Sequence, residues 1–222
     1  SYSQSLMERL YKVCVHKGWN HAWYMLSRHY RMHDEIAQLV QNYYSGRLVS
    51  MRAEQKAALN PATAHPILSH RVVWVECPRS EDSYFDLRQV RVITSILKLV
   101  KQELGVSDAE IGIVAPFRAM IHALRQENQT EGITIDTVER FQGSERKVII
   151  ISLPLKSEHE LKGIEALSDD GSIDRKLNVA VSRAQERLII LGNRDLCRSS
   201  GHYAFLVDKI AANSIVIPCE QL

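Results

Sequence analysis

Asp174 to Asn193 reads DRKLNVAVSRAQERLIILGN. It opens with a polar helical start, passes through a small-residue turn at Ala180, Ser182 and Ala184 that carries Arg183, and runs straight into Leu188-Ile189-Ile190-Leu191. That order predicts a helix over 174–184 feeding a strand over 188–191, with one guanidinium placed at the edge of a sheet. The small neighbours let the backbone pack closely beneath the charge. A guanidinium is always charged and grips phosphate oxygens with a fork that lysine lacks. Taken alone, Arg183 reads more readily as a surface arginine at a helix end beside Glu186; its setting reverses that and decides for a functional role.

Working outward, Val148 to Leu153 is a continuous apolar run, the pattern of a parallel strand covered on both faces. Further strands are expected at 72–75, 111–115, 133–138 and 215–217. Between them, Val90, Ile93, Leu97 and Val100 recur at helical spacing within 85–104, which Gly105 closes. Pro116 opens a helix to Gln126, and 202–212 forms another. Toward the start, Leu6, Leu10 and Val13 mark a short amphipathic helix over 6–15. Asp34 is read as the N-cap of a helix ending at Gly46, with Ile36, Ala37, Val40 and Tyr44 inward. Residues 51–70, with Pro61 and Pro66, read as a surface connection holding a helical piece at 52–59, and 156–171 as a polar loop. Strands alternating with helices give an α/β fold with a mainly parallel central sheet flanked by helices. Ligands of such sheets usually sit at the carboxyl ends of the strands.

The 222 residues suit one domain over 1–222 with a sizeable core. Hydrophobic residues make up 45% and charged residues 24%, with a formal charge of +2. A surface for nucleic acid must therefore be local. Cys14, Cys77, Cys197 and Cys219 form no Cys-x-x-Cys pair, which argues against a zinc site or a disulfide framework and for a reducing compartment. No apolar run reaches the length that spans a bilayer. These features point to the cytoplasm, with a nucleoid-associated or nuclear setting as variants, and to no membrane partner. Ser1 starts mid-pattern, as if cut from something longer. The nine histidines show no metal-ligand spacing, and no metal site is expected. Trp19, Trp23 and Trp74 are able to stack on bases, though packing is the commoner use of a tryptophan.

Other segments add chemistry. Thr137-Val138-Glu139-Arg140-Phe141-Gln142-Gly143-Ser144-Glu145 precedes the strand at Val148. Gly143 permits a tight turn and close backbone approach, and Glu145 can accept from two hydroxyls, as a ribose offers. Tyr30-Arg31-Met32-His33 sets a ring beside a guanidinium, which serves a nucleotide by stacking and charge pairing. Pro116-Phe117-Arg118 puts an arginine at a helix N-terminus, a fair phosphate site.

The 137–145 and 174–193 segments together resemble motifs V and VI of superfamily 1 helicases, in the branch that includes the nonsense-mediated-decay and Okazaki-fragment-processing enzymes. Tyr30-Arg31-Met32-His33 resembles that family's Tyr-Arg-Met-His motif, with Asp34 where proline is usual. The resemblance implies the second RecA-like motor domain of a P-loop NTPase. It implies that Arg183 is the arginine finger on the γ-phosphate, that Arg31 also reaches the γ-phosphate, and that Tyr30 lies against the base. It places Gln142 and Gly143 near the phosphates and Glu145 on the ribose. It puts Thr137 on a backbone phosphate, and Phe117 and Arg118 on the nucleic acid. Relatives often carry Asp where Glu139 and Lys147 stand, so Lys147 adds a positive charge near the site.

Absent are a Gly-x-x-x-x-Gly-Lys-Ser/Thr loop and an apolar strand ending in Asp-Glu. In the resembled family both lie on the first motor domain, which holds most of the magnesium contacts. The expectation is thus the C-terminal half of a monomeric ATP- and magnesium-dependent DNA or RNA helicase or translocase. Its partners are single-stranded nucleic acid and the N-terminal RecA-like domain of its own parent chain, and family analogy suggests 5′ to 3′ movement. Alone, the chain is expected neither to hydrolyse ATP nor to unwind. The competing readings are an ATPase-dead scaffold that binds nucleic acid or protein, and a Rossmann dinucleotide domain. The second fails for want of a Gly-x-Gly-x-x-Gly after a strand.

Overall fold

The computed structural model describes residues 6–59, 65–141 and 143–222. In chain order its helices are α1 Leu6–His16, α2 Asp34–Ala37, α3 Leu87–Leu104, α4 Arg118–Arg125, α5 Glu158–Ile164, α6 Arg175–Val181, α7 Arg194–Cys197 and α8 Gly201–Asn213. Its strands are β1 Arg28–His29, β2 Val49–Ser50, β3 Val72–Glu76, β4 Ile111–Val114, β5 Thr134–Asp136, β6 Arg146–Ser152, β7 Ala184–Gly192 and β8 Ile215–Pro218. The last six form one sheet in the order β5-β4-β6-β7-β3-β8. Every neighbouring pair in it is parallel.

The central stretches of the inner strands are apolar because both faces of the sheet are covered. Trp74, Val114, Ile149, Ile151, Leu188 and Ile190 pack with α2, α5, α6, α7 and α8 on one side. Val73, Val75, Ile113, Ile150, Ile189 and Leu191 pack with α3 and α4 on the other. Alternate residues of each strand thus face opposite layers, and the helices carry one apolar stripe each. The result is the three-layer α/β arrangement with a parallel sheet that the alternating pattern predicts, and it is consistent with the RecA-like fold that the resemblance implies.

Local chemistry sets the helix ends. Asp86 accepts from the amides of Arg88 and Gln89 and starts α3, and Gly105 ends it in the left-handed region at φ 61°. Four expectations change. The N-cap of α2 is His33, whose side chain accepts from the Glu35 amide, and α2 stops at Ala37. A separate turn, Gln41–Tyr44, follows and closes at left-handed Ser45. The 156–171 stretch contains α5, capped by Ser157. The 51–70 connection buries Ile67 and Leu68, and its helical piece is a single turn, Ala53–Lys56.

One glycine is demanded by space. A Cβ on Gly112 in β4 would lie 2.8 Å from the Phe141 ring and 2.9 Å from the Ile149 side chain. Phe141, fully buried, therefore lies directly across β4. It anchors residues 137–145, which travel from the carboxyl end of β5 back to the amino end of β6.

Candidate nucleotide site

Arg183 sits between the end of α6 and the start of β7. Buried Asp174 caps α6, accepting from the amides of Lys176 at 3.0 Å and Leu177 at 3.2 Å. The Arg183 amide donates to the Ala180 carbonyl and its own carbonyl accepts from the Arg146 amide, which begins the β6–β7 ladder. Ala180, Ser182 and Ala184 are buried, as close packing beneath the charge requires. The guanidinium turns inward. Its Nε donates to the Val179 carbonyl at 3.1 Å, Nη1 to the Ser144 carbonyl at 3.1 Å and the Phe141 carbonyl at 3.5 Å, and Nη2 to the Ser182 hydroxyl at 3.2 Å. The side chain is not displayed free at the sheet edge; it ties the 137–145 segment to the end of α6. Burial, then the neighbouring Arg31 charge, push its pKa below the usual guanidinium range, and Glu145 opposes them.

Arg31 comes from the other end of the sequence. The His33 amide donates to the Gln185 carbonyl at 2.8 Å, docking the segment that carries Arg31 on the start of β7. There Arg31 Nε pairs with Glu145 Oε2, and its Nη1 reaches the Ser182 carbonyl at 3.5 Å. Gln185 Nε2 donates to Glu145 Oε1 at 2.8 Å. Two arginines and one carboxylate thus converge where β6 and β7 begin. Tyr30 is exposed and carries Arg52 over its ring at 5.7 Å from the centroid. Beside them lies a cleft of about 410 Å³, lined by Tyr30, Arg31, Arg52, Gln55 and Arg71 among others.

This cluster stands at the amino ends of the strands, not at the carboxyl ends where the general rule for α/β sheets pointed. The reason is the local order: Glu145 and Arg183 each directly precede a strand. A cavity of about 280 Å³ does occupy the carboxyl side; its lining is mainly apolar, with Val114, Ile151, Leu153, Leu177 and Ala180, and its one cation among the described residues, Lys176, is paired with Glu139. Gly143 is exposed with φ +84°, and a Cβ there would meet no atom, so its backbone conformation is what calls for glycine. Gln142 lies outside the described residues. Lys147 pairs with Glu110 at 2.6 Å instead of joining the cluster.

The residues assigned to nucleic acid occupy the opposite edge. Thr137 follows β5, and its carbonyl accepts from the Arg140 and Phe141 amides in a turn. Glu139 pairs with Lys176 of α6 at 2.9 Å. Burial alone would raise the Glu139 pKa, but Lys176, its own backbone and the Thr137 hydroxyl together hold it below the ordinary value. Phe117 is the N-cap residue of α4 and packs edge-on against Tyr84 at 4.8 Å between centroids. Arg118 is exposed at the first residue of α4. The structure does not bring Thr137, Phe117 and Arg118 together with the arginine cluster; residues 137–145 connect the two edges. Trp74 is fully buried, donating to the Gly192 carbonyl at 3.1 Å, and Trp23 packs edge-on against Tyr11.

Gln55 was invisible in the sequence. It is buried; its Oε1 accepts from the amides of Met51 and Arg52, while Nε2 donates to the Met32 carbonyl at 2.7 Å and lies 3.1 Å from His29 Nδ1. It thereby grips the chain on both sides of Tyr30 and Arg31. Gln185 was equally hidden, since only the meeting of segments shows what it holds.

Among the described residues no group of three His, Cys, Asp or Glu could hold a metal ion. The donors at the cluster suit an anion, so magnesium has no fitting site here. No helix among them is long and apolar enough to cross a membrane.

Comparison with known proteins agrees with this architecture. A probable helicase of Dictyostelium discoideum is 30% identical over 98% of this chain and 22% of its own length. Helicase sen1 of Schizosaccharomyces pombe is 28% identical over 97% of this chain and 13% of its own. Regulator of nonsense transcripts 1 of Dictyostelium discoideum is 26% identical over 97% and 16%. The chain spans less than a quarter of the length of each of these relatives. The sequence profile of the AAA domain family matches residues 2–195. With that match over five of the six sheet strands, the arginine cluster and the 137–145 segment, the chain belongs to the AAA domain family, in the superfamily 1 helicase branch of Sen1 and the regulators of nonsense transcripts.

Proposed function

We propose that the chain is the second motor domain of an ATP-dependent nucleic-acid helicase or translocase, and that its part in the reaction is to supply guanidinium groups to the triphosphate. The observation that carries this is the convergence of Arg31, Glu145 and Arg183 at the amino edge of β6 and β7. ATP supplies the phosphoryl group, whose transfer develops charge on its equatorial oxygens. Arg183, positioned by four acceptors, and Arg31, half-exposed, would stabilise that charge, as arginines do in this chemistry. Tyr30 offers an exposed ring to the base, and Glu145 two acceptor oxygens to the ribose. The phosphate-cradling loop and the magnesium ligands are assigned to a companion domain.

Thr137, Phe117 and Arg118 are proposed to hold a single strand, DNA or RNA, through its backbone. Residues 137–145 then give a material link between track and nucleotide. Thr137 stands at one end and Glu145 at the other, and the carbonyls of Phe141 and Ser144 accept from Arg183. Binding at one edge would therefore alter the support of Arg183 at the other.

The test is ATP hydrolysis by a polypeptide containing both motor domains, with and without single-stranded DNA or RNA. Strand-stimulated hydrolysis is expected to fall by about 10³-fold or more in Arg183→Lys if that group acts as a finger. Unchanged hydrolysis in a folded Arg183→Lys protein would refute the assignment. A scaffold without ATPase activity is the second reading. It is favoured by one observation: four of the five Arg183 N–H donors bond inside the domain. Absence of hydrolysis in the wild-type two-domain protein would decide for it.

A further inference from the structure

We propose that the Glu145 carboxylate competes with an incoming phosphate for Arg31 and so masks the phosphate site. In this view its carboxylate occupies the place an incoming phosphate takes, and Arg31 changes partner when nucleotide arrives. The inference rests on the nucleotide reading above and adds a control step to it.

Three observations carry it. Arg31 Nη1 reaches the Ser182 carbonyl and Arg183 Nη2 the Ser182 hydroxyl, so two like charges meet on one residue; burial and then Arg31 lower the Arg183 pKa, and Glu145 opposes them. A cation pair of this kind attracts an anion, and the Glu145 carboxylate is one. Second, Glu145 is held from two sides, by Arg31 on Oε2 and by Gln185 on Oε1, so its position is set and does not drift with solvent. Third, the pair is accessible. The Arg31 and Glu145 side chains keep 35% and 42% of their exposure, so a phosphate can reach Arg31 without unfolding anything. A half-exposed pair is also weak, as an exchangeable contact must be. A polyphosphate carries more charge than a carboxylate and accepts a bidentate fork from the same guanidinium, so it wins the exchange. Glu145 is then released from Arg31 while Gln185 still holds it, which frees one oxygen for a ribose hydroxyl. One carboxylate thus serves first as counter-ion and then as ligand.

Inorganic pyrophosphate separates these two jobs, because it has no ribose. Its affinity for the chain is to be measured by NMR titration for wild type, Glu145→Gln, Arg31→Ala and the double variant. Glu145→Gln keeps the shape and removes the charge. It is expected to bind pyrophosphate about two- to fivefold more tightly than wild type, the size set by a half-exposed ion pair. Arg31→Ala added to it should erase that gain. Equal or weaker binding by Glu145→Gln, with wild type still binding, overturns the masking role and leaves the nucleotide reading standing. No pyrophosphate binding by any of the four proteins also overturns the masking role, while the nucleotide reading stands or falls with hydrolysis by the two-domain polypeptide.

Discussion

Arg183 Nη1 donates to the carbonyl of Ser144 at 3.1 Å, so the arginine assigned to the γ-phosphate is also a strut of the loop beside it. The two roles cannot be separated by deleting the side chain. Arg183→Ala takes the guanidinium donor from the Ser144 carbonyl and one of two donors from the Val179 carbonyl, which keeps the Ser182 hydroxyl, and is expected to cost about 1–3 kcal/mol of stability. Arg183→Lys should cost less, since an ammonium still reaches part of the set. Urea unfolding of the three proteins measures this. Equal midpoints for wild type and Arg183→Ala would mean that the internal bonds contribute nothing.

Gly112 and Phe141 form a second dependent pair. Gly112→Ala forces a Cβ to within 2.8 Å of the ring, in a layer with no slack. The expected loss is about 1–3 kcal/mol. Phe141→Leu in the same chain should recover part of it, giving a non-additive double-mutant cycle. Additive losses would show that the two side chains do not compete for the same space.

His33 gives the domain a pH response. Its Nδ1 accepts from the Glu35 amide at 3.2 Å, and Nε2 lies 3.0 Å from the Ala57 carbonyl, so the neutral ring with a proton on Nε2 satisfies both. Burial lowers its pKa from 6.5; the Ala57 carbonyl opposes this and Arg71 adds to it. Below that pH the unfolded chain takes up the proton first, so this contribution is complete above pH 6.5 and is lost as pH falls toward the folded value. His29, lowered mainly by burial, acts in the same direction. Thermal unfolding from pH 8 to pH 5 should show a falling midpoint, and His33→Asn, which keeps a capping acceptor, a shallower fall. Identical slopes for the two proteins would remove His33 from the account.

Gln55→Leu removes a buried amide that serves three backbone groups. Its cost is expected at about 1–3 kcal/mol. The change should also loosen Tyr30 and Arg31, which hydrogen exchange at the amides of residues 29–33 would report. Unaltered protection there would confine Gln55 to the stability of its own turn.

Much of this was legible in the residues. The all-apolar strand at Val148 announces a sheet covered on both faces, and Gly105 a helix end. The helix α5 lies where a polar loop is expected although its signal is there, Ser157 followed three residues later by Glu160 and then Leu161. That capping pattern starts a helix even in a polar stretch. The short α2 was not legible: His33 is a rare cap, chosen here because its other nitrogen finds Ala57, 24 positions away.

The sequence by itself determined the element types, their alternation, the two-sided burial of the strands and the presence of an arginine between α6 and β7. These follow from periodicity, capping and side-chain size, which act over a few residues. Only the tertiary structure decided that the charged cluster lies at the amino edge of the sheet, that Arg183 points inward, and that Arg31 meets Glu145. Arg31 and Glu145 are 114 positions apart. Their meeting depends on the strand order β5-β4-β6-β7-β3-β8 and on the docking of the Tyr30–His33 segment at the head of β7. Which charges become neighbours is settled by packing the whole chain, because Coulomb and hydrogen-bond energies depend on distance in space and not on separation along the sequence.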